Sequence, residues 1–366
     1  MLENPDSQQK TRTPKEERAH AIVGYLLIAG LSLVTLYGVY RPLGPPGIDP
    51  GWQWAVNQAA DAGLVFGRDI VFTYGPLAYL MVPLDVSSNL LAANLFLLGV
   101  QLLFTAALAA LFFRDRRLAA VTAFAVLFVV ARHQGLALEG FFPLIVGLLV
   151  LLGVFADRLL PIAAAATLAA ILLMVKMSLG IASLAVLAVA SIVARFLFNR
   201  SYRLALGLLP FPVTLIVLAT ILFDRPGTFF HWLELSLQVV SGYSIANSIT
   251  NAETGPILQV VVGAIAVGAW IGFSVLLCRD RRLLAWNLLF VPVVLIQFRL
   301  AFVRHDNHQY VFIPFMLALI AFSSLFTQRR RQIAAHVAFF AVILIGGALA
   351  NLVDPGGRGL VPATLL

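Results

Sequence analysis

The 366 residues are 61% hydrophobic and only 11% charged, with mean hydropathy +0.94, whereas a soluble domain carries about 25% charged residues. That excludes an ordinary soluble fold. The net charge of +8 comes without the aromatic interleaving or groove-reading module that nucleic-acid binding uses, and a single cysteine, Cys278, excludes an intrachain disulfide and a thiolate metal cage.

Residues 1–19 are polar, mixed in charge and interrupted by Pro5 and Pro14, and read as a disordered cytoplasmic tail. Apolar runs able to cross about 30 Å of hydrocarbon then recur along the chain, and isolated spanning segments must be helices. The runs are 20–40, 89–113, 118–132, 141–156, 161–175, 178–195, 204–223, 255–278, 283–299, 309–326 and 332–352. The expected fold is therefore an all-α polytopic membrane protein with about eleven transmembrane helices. The first run exceeds a signal-peptide core and lacks a small-residue cleavage pattern, so it is read as a retained anchor.

Basic residues fix the expected orientation, because Lys and Arg accumulate in short cytoplasmic loops. With the N-terminus inside, the cytoplasmic ends receive Lys10, Arg12, Lys15 and Arg18, then Arg114, Arg116 and Arg117, and later clusters around Arg158, Arg200, Arg281 and Arg330. The opposite face keeps roughly half as many. The domain plan is one membrane domain, 20–352, with long external loops at 41–88 and 224–254, followed by 353–366 as an external tail or linker. A plasma (inner) membrane protein with a cytoplasmic N-terminus and a non-cytoplasmic C-terminus is the expected localisation.

Most unusual polar residues fall on the external face, and charges near a bilayer are costly unless they pair, snorkel or line an aqueous cavity. The first external loop is the richest stretch, DPGWQWAVNQAADAGLVFGRDIVFTYGPL from Asp49 to Leu77. Apolar residues at Trp52, Val56, Ala59, Ala60 and Leu64 approach helical spacing and predict an interfacial amphipathic helix, with Trp52 and Trp54 suited to the headgroup layer. Asp49 is placed to cap that helix, or to act as a catalytic carboxylate where it faces a cavity. Asp69 fits either a solvated pair with Arg68 or donor binding. Tyr74 with Gly75-Pro76 reads as a rigid turn back toward the membrane.

The second constellation is FRLAFVRHDNHQY, residues 298–310. Arg304 and His308 share a face at i, i+4 if helical, and Arg and protonated His side chains can grip a phosphate. Asp306 can hold a histidine tautomer. His305, Asp306 and His308 also form an alternative set for a divalent cation, although three near-consecutive ligands are weak metal evidence. No cofactor is firmly implied. Lys176 either snorkels or supplies a second cation for lipid phosphate, and Glu139 is a supporting candidate. The 224–254 loop predicts a second interfacial helix over the cavity, in which His231 and Glu234 are explained equally well by a plain amphipathic face.

Asp49 after the first span, the helical stretch, Gly67, Asp69 and the Tyr-Gly-Pro-Leu turn together resemble the first external loop of GT-C-type membrane glycosyltransferases, such as protein O-mannosyltransferases and aminoarabinose lipid A transferases. The family's loop aspartate corresponds to Asp49, and its Pro-Leu turn to Pro76 and Leu77. Pro50 stands where many relatives have a second acidic residue, and the match covers about thirty residues. The resemblance implies a GT-C-like fold and an enzyme. Its donor would be a polyprenyl-phosphate sugar and its acceptor a glycan, lipid or protein hydroxyl, with membrane lipids around it and no nucleic-acid partner. It implies Asp49 as the base and, with Asp69, as the catalytic pair. The 304–308 segment matches no named subgroup, and it is by their own chemistry that Arg304, His305, His308 and Lys176 are read as holding the donor phosphate, with Trp52, Tyr74, Glu139 and Asp306 supporting them. A transporter or flippase of a lipid-linked or anionic solute, and a non-catalytic assembly subunit, are the competing readings.

Overall fold

The computed structural model describes residues 14–35, 47–115, 118–199, 201–246, 254–276, 280–302, 309–326, 334–335 and 337–345. In chain order the helices are α1 (Pro14–Val34), α2 (Ile48–Asp61), α3 (Asn89–Asp115), α4 (Leu118–His133), α5 (Leu138–Ala156), α6 (Leu159–Val175), α7 (Met177–Phe198), α8 (Ser201–Leu208), α9 (Pro210–Leu222), α10 (Pro226–Ala246), α11 (Thr254–Leu276), α12 (Arg281–Phe302) and α13 (Gln309–Phe326). Among the described residues there is no strand, only isolated bridges.

Among the described residues six segments are long and apolar enough to cross a membrane: Lys15–Val34, Asn89–Asp115, Leu138–Ala156, Met177–Phe198, Ala205–Leu222 and Arg281–Phe302. Four shorter apolar helical stretches accompany them: Leu118–His133, Leu159–Val175, Gly263–Gly272 and Val311–Phe326. The described residues are thus all-helical in architecture, with helices suited by length and composition to a membrane. Its outer helices carry apolar residues where a soluble protein would carry charge. On α3, Leu91, Leu95, Leu98 and Leu102 form an exposed stripe at helical spacing. On α9, Val213, Ile216, Val217 and Ile221 do the same.

The centre of the bundle is α5. Its apolar window is 94% buried, as expected of a helix that is hydrophobic all round. It packs against α3, α6, α7, α12 and α13, and Gly147 lets the Phe290 ring approach where a Cβ would come within 2.5 Å. An aromatic core stacks beside it. Phe104 meets Phe141 edge to face at 5.3 Å, and Trp286 lies parallel to Phe322 at 5.3 Å with 4° between the planes. Such pairs add to the burial of large rings.

The expected run 204–223 is two helices, broken at Leu209. Pro210 begins α9, and a proline lacks the N–H needed to continue the preceding helix. The expected fourth span also starts earlier than its apolar pattern, at Leu138, so Glu139 lies in the first turn of α5.

Contacts along the bundle order the helix directions. Tyr25 on α1 meets Phe112 on α3, and Ser32 lies 2.6 Å from Thr105, so these helices run antiparallel. Arg282, at the start of α12, donates to Asp115 at the end of α3 over 2.7 Å and covers the Phe155 ring near the end of α5. That is one end of the bundle. The other end gathers the start of α5, the α6–α7 turn and the late part of α12, where Gln297 donates to the Glu139 carbonyl over 3.4 Å. Residues 62–88 and α10 lie at this second end.

Candidate functional site at the loop-covered end

Helices α6 and α7 are joined by one non-helical residue, Lys176, in an extended conformation (φ −157°, ψ 128°). So short a reversal brings Gly180 against Leu173, where a Cβ would lie 2.5 Å from the Leu173 Cα. The turn leaves helix-end backbone groups to satisfy in a buried setting, since Met174, Val175 and Met177 are buried. The first loop supplies their partners. Gly75 N–H donates to Val175 O (3.0 Å), Leu77 N–H to Met174 O (3.0 Å), and Met177 N–H to Thr73 O (3.1 Å). Tyr74 and Lys176 thereby face each other as an antiparallel bridge.

This register creates a charged cluster. Lys176 Nζ donates to Glu139 Oε1 at 2.9 Å and to Tyr74 Oη at 2.9 Å. The Tyr74 hydroxyl donates in turn to Glu139 Oε1 at 3.3 Å, and the ammonium lies 4.3 Å from the Tyr74 ring centroid, within cation–π range. Burial pushes the Tyr74 hydroxyl up to about 12 despite the nearby Lys176 charge, so it remains a donor at ordinary pH. On the far side Tyr74 stacks on Trp52 (4.4 Å) and on Phe72 (5.4 Å). Trp52, Ala55, Val56, Ile70, Val71 and Phe72 line an apolar groove of about 180 Å³. The aromatic layer thus separates that groove from the Glu139–Lys176 pair.

The expected amphipathic helix of the first loop is α2. Its N-cap position is held by Gly47, and Asp49 is the second helical residue, so Asp49 does not occupy the expected capping position. The Asp49 side chain lies outside the described residues, while Trp52 follows it by three positions on the same helix. Further along, Asn57 donates to Val82 O at 2.9 Å, and Asn89 donates to Asn57 O at 2.9 Å, tying α2 to the start of α3.

Asp69 sits in a solvent-facing clasp. Its Oδ2 accepts from Val65 N–H (2.9 Å) and from Arg68 (2.8 Å), its Oδ1 accepts from Arg68 (3.0 Å), and Arg68 also reaches Asp224 (2.9 Å). Thr228 donates to Asp224 at 2.6 Å. Gly67, at φ +85°, backs directly onto α10, where a Cβ would lie 2.7 Å from Thr228 O and 2.8 Å from Trp232 Cβ. Arg68 therefore holds the loop to the α9–α10 junction through Asp224, and Asp69 braces that guanidinium from within the loop.

The Arg68 hydrogen bonds and the Val65 N–H depress the Asp69 carboxyl to about 2. A depressed carboxylate stabilises the fold above its unfolded value and loses that contribution as pH falls through the folded value. The clasp is expected to hold from neutral pH down to about 4 and to open between there and about 2. Limited proteolysis of residues 62–72 across that range reads the opening.

The segment Arg304, His305, Asp306 and His308 lies outside the described residues. Its described flanks are Phe302 and Gln309, with Phe302 about 7.5 Å of helix rise beyond Gln297, the residue bonded to the Glu139 carbonyl. Among the described residues no three His, Cys, Asp or Glu side chains gather as a metal site. His231 and Glu234, 3.7 Å apart, are both exposed on α10 and form a surface pair of little energetic weight.

The Glu139–Lys176 contact is the feature that sequence reasoning did not assemble, and it replaces snorkelling for Lys176. A signal for it was present. Lys176 is the only charged residue between Arg158 and Arg195, and Glu139 is the only one between Arg132 and Asp157 apart from His133, and lone charges in apolar sequence require partners. Comparison of the chain with family models, with curated proteins and with solved structures gives no match in any of the three.

Proposed function

We propose that the chain is a membrane glycosyltransferase of GT-C-like plan, with about eleven crossings and its loop-covered end on the non-cytoplasmic face of the plasma membrane. It moves a sugar from a polyprenyl-phosphate donor to an acceptor hydroxyl on a glycan, lipid or protein. The observation that supports this reading most is the seating of the first loop. The chain from Asp49 to Leu77 is folded onto the end of the bundle as a wall, with an aromatic layer and an apolar groove three residues from Asp49.

In this reading the acceptor oxygen attacks the anomeric carbon with inversion, and Asp49 takes the hydroxyl proton as the new C–O bond forms. The bond from the anomeric carbon to the phosphate oxygen breaks, and its electron pair leaves with polyprenyl phosphate. Arg304, with His305 and His308, stabilises that leaving charge in a low-dielectric setting. Lys176, whose ammonium is paired with Glu139 and bonded to Tyr74, holds the loop wall rather than the phosphate.

The test is transfer from a labelled polyprenyl-phosphate sugar by the purified chain in proteoliposomes. Asp49→Asn is expected to lower turnover by about 10²–10⁴-fold, the usual contribution of a positioned general base. Unchanged turnover removes Asp49 from the mechanism. Labelled lipid crossing the bilayer without sugar release overturns the transferase reading in favour of a carrier.

A further inference from the structure

We infer that Glu139 is a positioning residue: through Lys176 and Tyr74 it locks α2, and with it Asp49, onto the end of the bundle. The placement of α2 stands by itself, and only its consequence for catalysis rests on the transferase reading.

The anchor is rigid. Glu139 stands in the first turn of the almost fully enclosed α5, where a carboxylate is favoured by the helix dipole. The carbonyl of the same residue is held from α12 by Gln297. From that anchor the connection passes through one ammonium. Lys176 bonds to both Glu139 and Tyr74, and the Tyr74 hydroxyl closes the triangle back to Glu139. The Tyr74 ring then carries Trp52 on its face at 4.4 Å.

Two separate fastenings divide α2 between them. Its C-terminal half is tied to Val82 and Asn89 through Asn57. Its N-terminal half, which carries Asp49, is seated by Trp52 on the Tyr74 ring. That ring is oriented by its hydroxyl bonds, because the Lys176 ammonium both donates to the oxygen and sits against the π face. Removing the carboxylate leaves the ammonium without its counter-charge and frees it from this geometry. Removing the hydroxyl alone leaves the charges paired and the π-face contact in place, but takes away the hydrogen bonds that fix the direction of the ring. Both changes should therefore loosen the same half of α2 by different routes.

Two exposed groove residues, Ala55 on α2 and Val71 on the facing segment, provide a reporter that does not depend on activity. Cysteines placed there in a Cys278→Ser background, treated with a short bifunctional thiol reagent in proteoliposomes, should be bridged efficiently in the otherwise wild-type chain. Glu139→Gln and Tyr74→Phe are each expected to lose most of the bridged product. Full bridging in Tyr74→Phe overturns the lock, as does full bridging in a folded Glu139→Gln. Tyr74→Phe keeps the ion pair and the ring, so it tests the lock even if Glu139→Gln fails to fold.

The kinetic arm then separates positioning from direct binding. Misplacing a reacting group by about 1 Å costs about 10²-fold in rate, so both variants should lower kcat with the donor KM unchanged. A raised KM with intact kcat overturns the positioning role and makes the cluster part of the donor site. Lost bridging in a chain that transfers no sugar even as wild type keeps the lock and refutes only the transferase reading.

Discussion

Gly75→Ala should unseat the first loop from the bundle. A Cβ at this position would lie 2.2 Å from the Met174 carbonyl oxygen and 2.9 Å from its carbon, both backbone atoms that no rotamer change can move. The same residue donates its N–H to Val175 O, so relieving the overlap means breaking the hydrogen-bonded register that brings Tyr74 to Lys176. The cost should be about 3 kcal/mol, the upper end for overpacking. On the proposed transferase reading, sugar transfer should fall with it, since the wall beside Asp49 is lost. Thermal unfolding in detergent measures the stability cost, protease sensitivity of residues 62–77 measures the unseating, and the sugar-transfer assay measures the activity. A variant with wild-type midpoint and a protected loop would show that the close approach at Gly75 can relax without cost.

Lys176→Met has an effect of similar size for an electrostatic reason. It strands the Glu139 carboxylate at the buried α6–α7 turn, with the Tyr74 hydroxyl and its own backbone N–H as remaining donors. The expected loss is about 3 kcal/mol, the lower end for breaking a buried pair, because the two side chains keep 20% and 29% exposure. Adding Glu139→Gln should recover most of that stability, since removing both charges also removes the desolvation penalty of each. Recovery should not extend to the seating of α2, which depends on what the pair holds. The double variant thus separates two roles of one ion pair: its stability returns while cross-linking between Ala55 and Val71 positions stays low. Loss of stability that persists in the double variant would mean that the charges themselves are indispensable to the bundle.

The helices were legible in the sequence because a membrane helix announces itself by unbroken apolar length, and the stretches from Asn89 to Phe198 carry little else. The helix at Ile48–Asp61 was legible too, from the spacing of Trp52, Val56 and Ala59. Boundaries were harder. Hydropathy does not report that Glu139 can be drawn into the first turn of α5 by a partner elsewhere, or that Pro210 divides a continuous apolar run. The Tyr74, Glu139 and Lys176 cluster joins residues 37 to 102 positions apart, and no local period encodes such a meeting. Asp69 shows the converse. Its neighbour Arg68 was evident from adjacency, but the reach of that guanidinium to Asp224, 156 positions away, decides that the carboxylate works as a clasp.

The enclosure of α5 also constrains how the protein can be made. A segment so uniformly apolar enters lipid readily on its own, yet in the finished molecule nearly all of its surface touches protein, including α12 and α13, which are synthesised long after it. During biogenesis this helix must first be solvated by lipid and only later wrapped, so Glu139 meets Gln297 after more than a hundred further residues have emerged. Chains truncated before Arg281 should therefore insert but remain open along one side, and cellular quality control would meet an unfinished bundle with its central helix exposed to the bilayer.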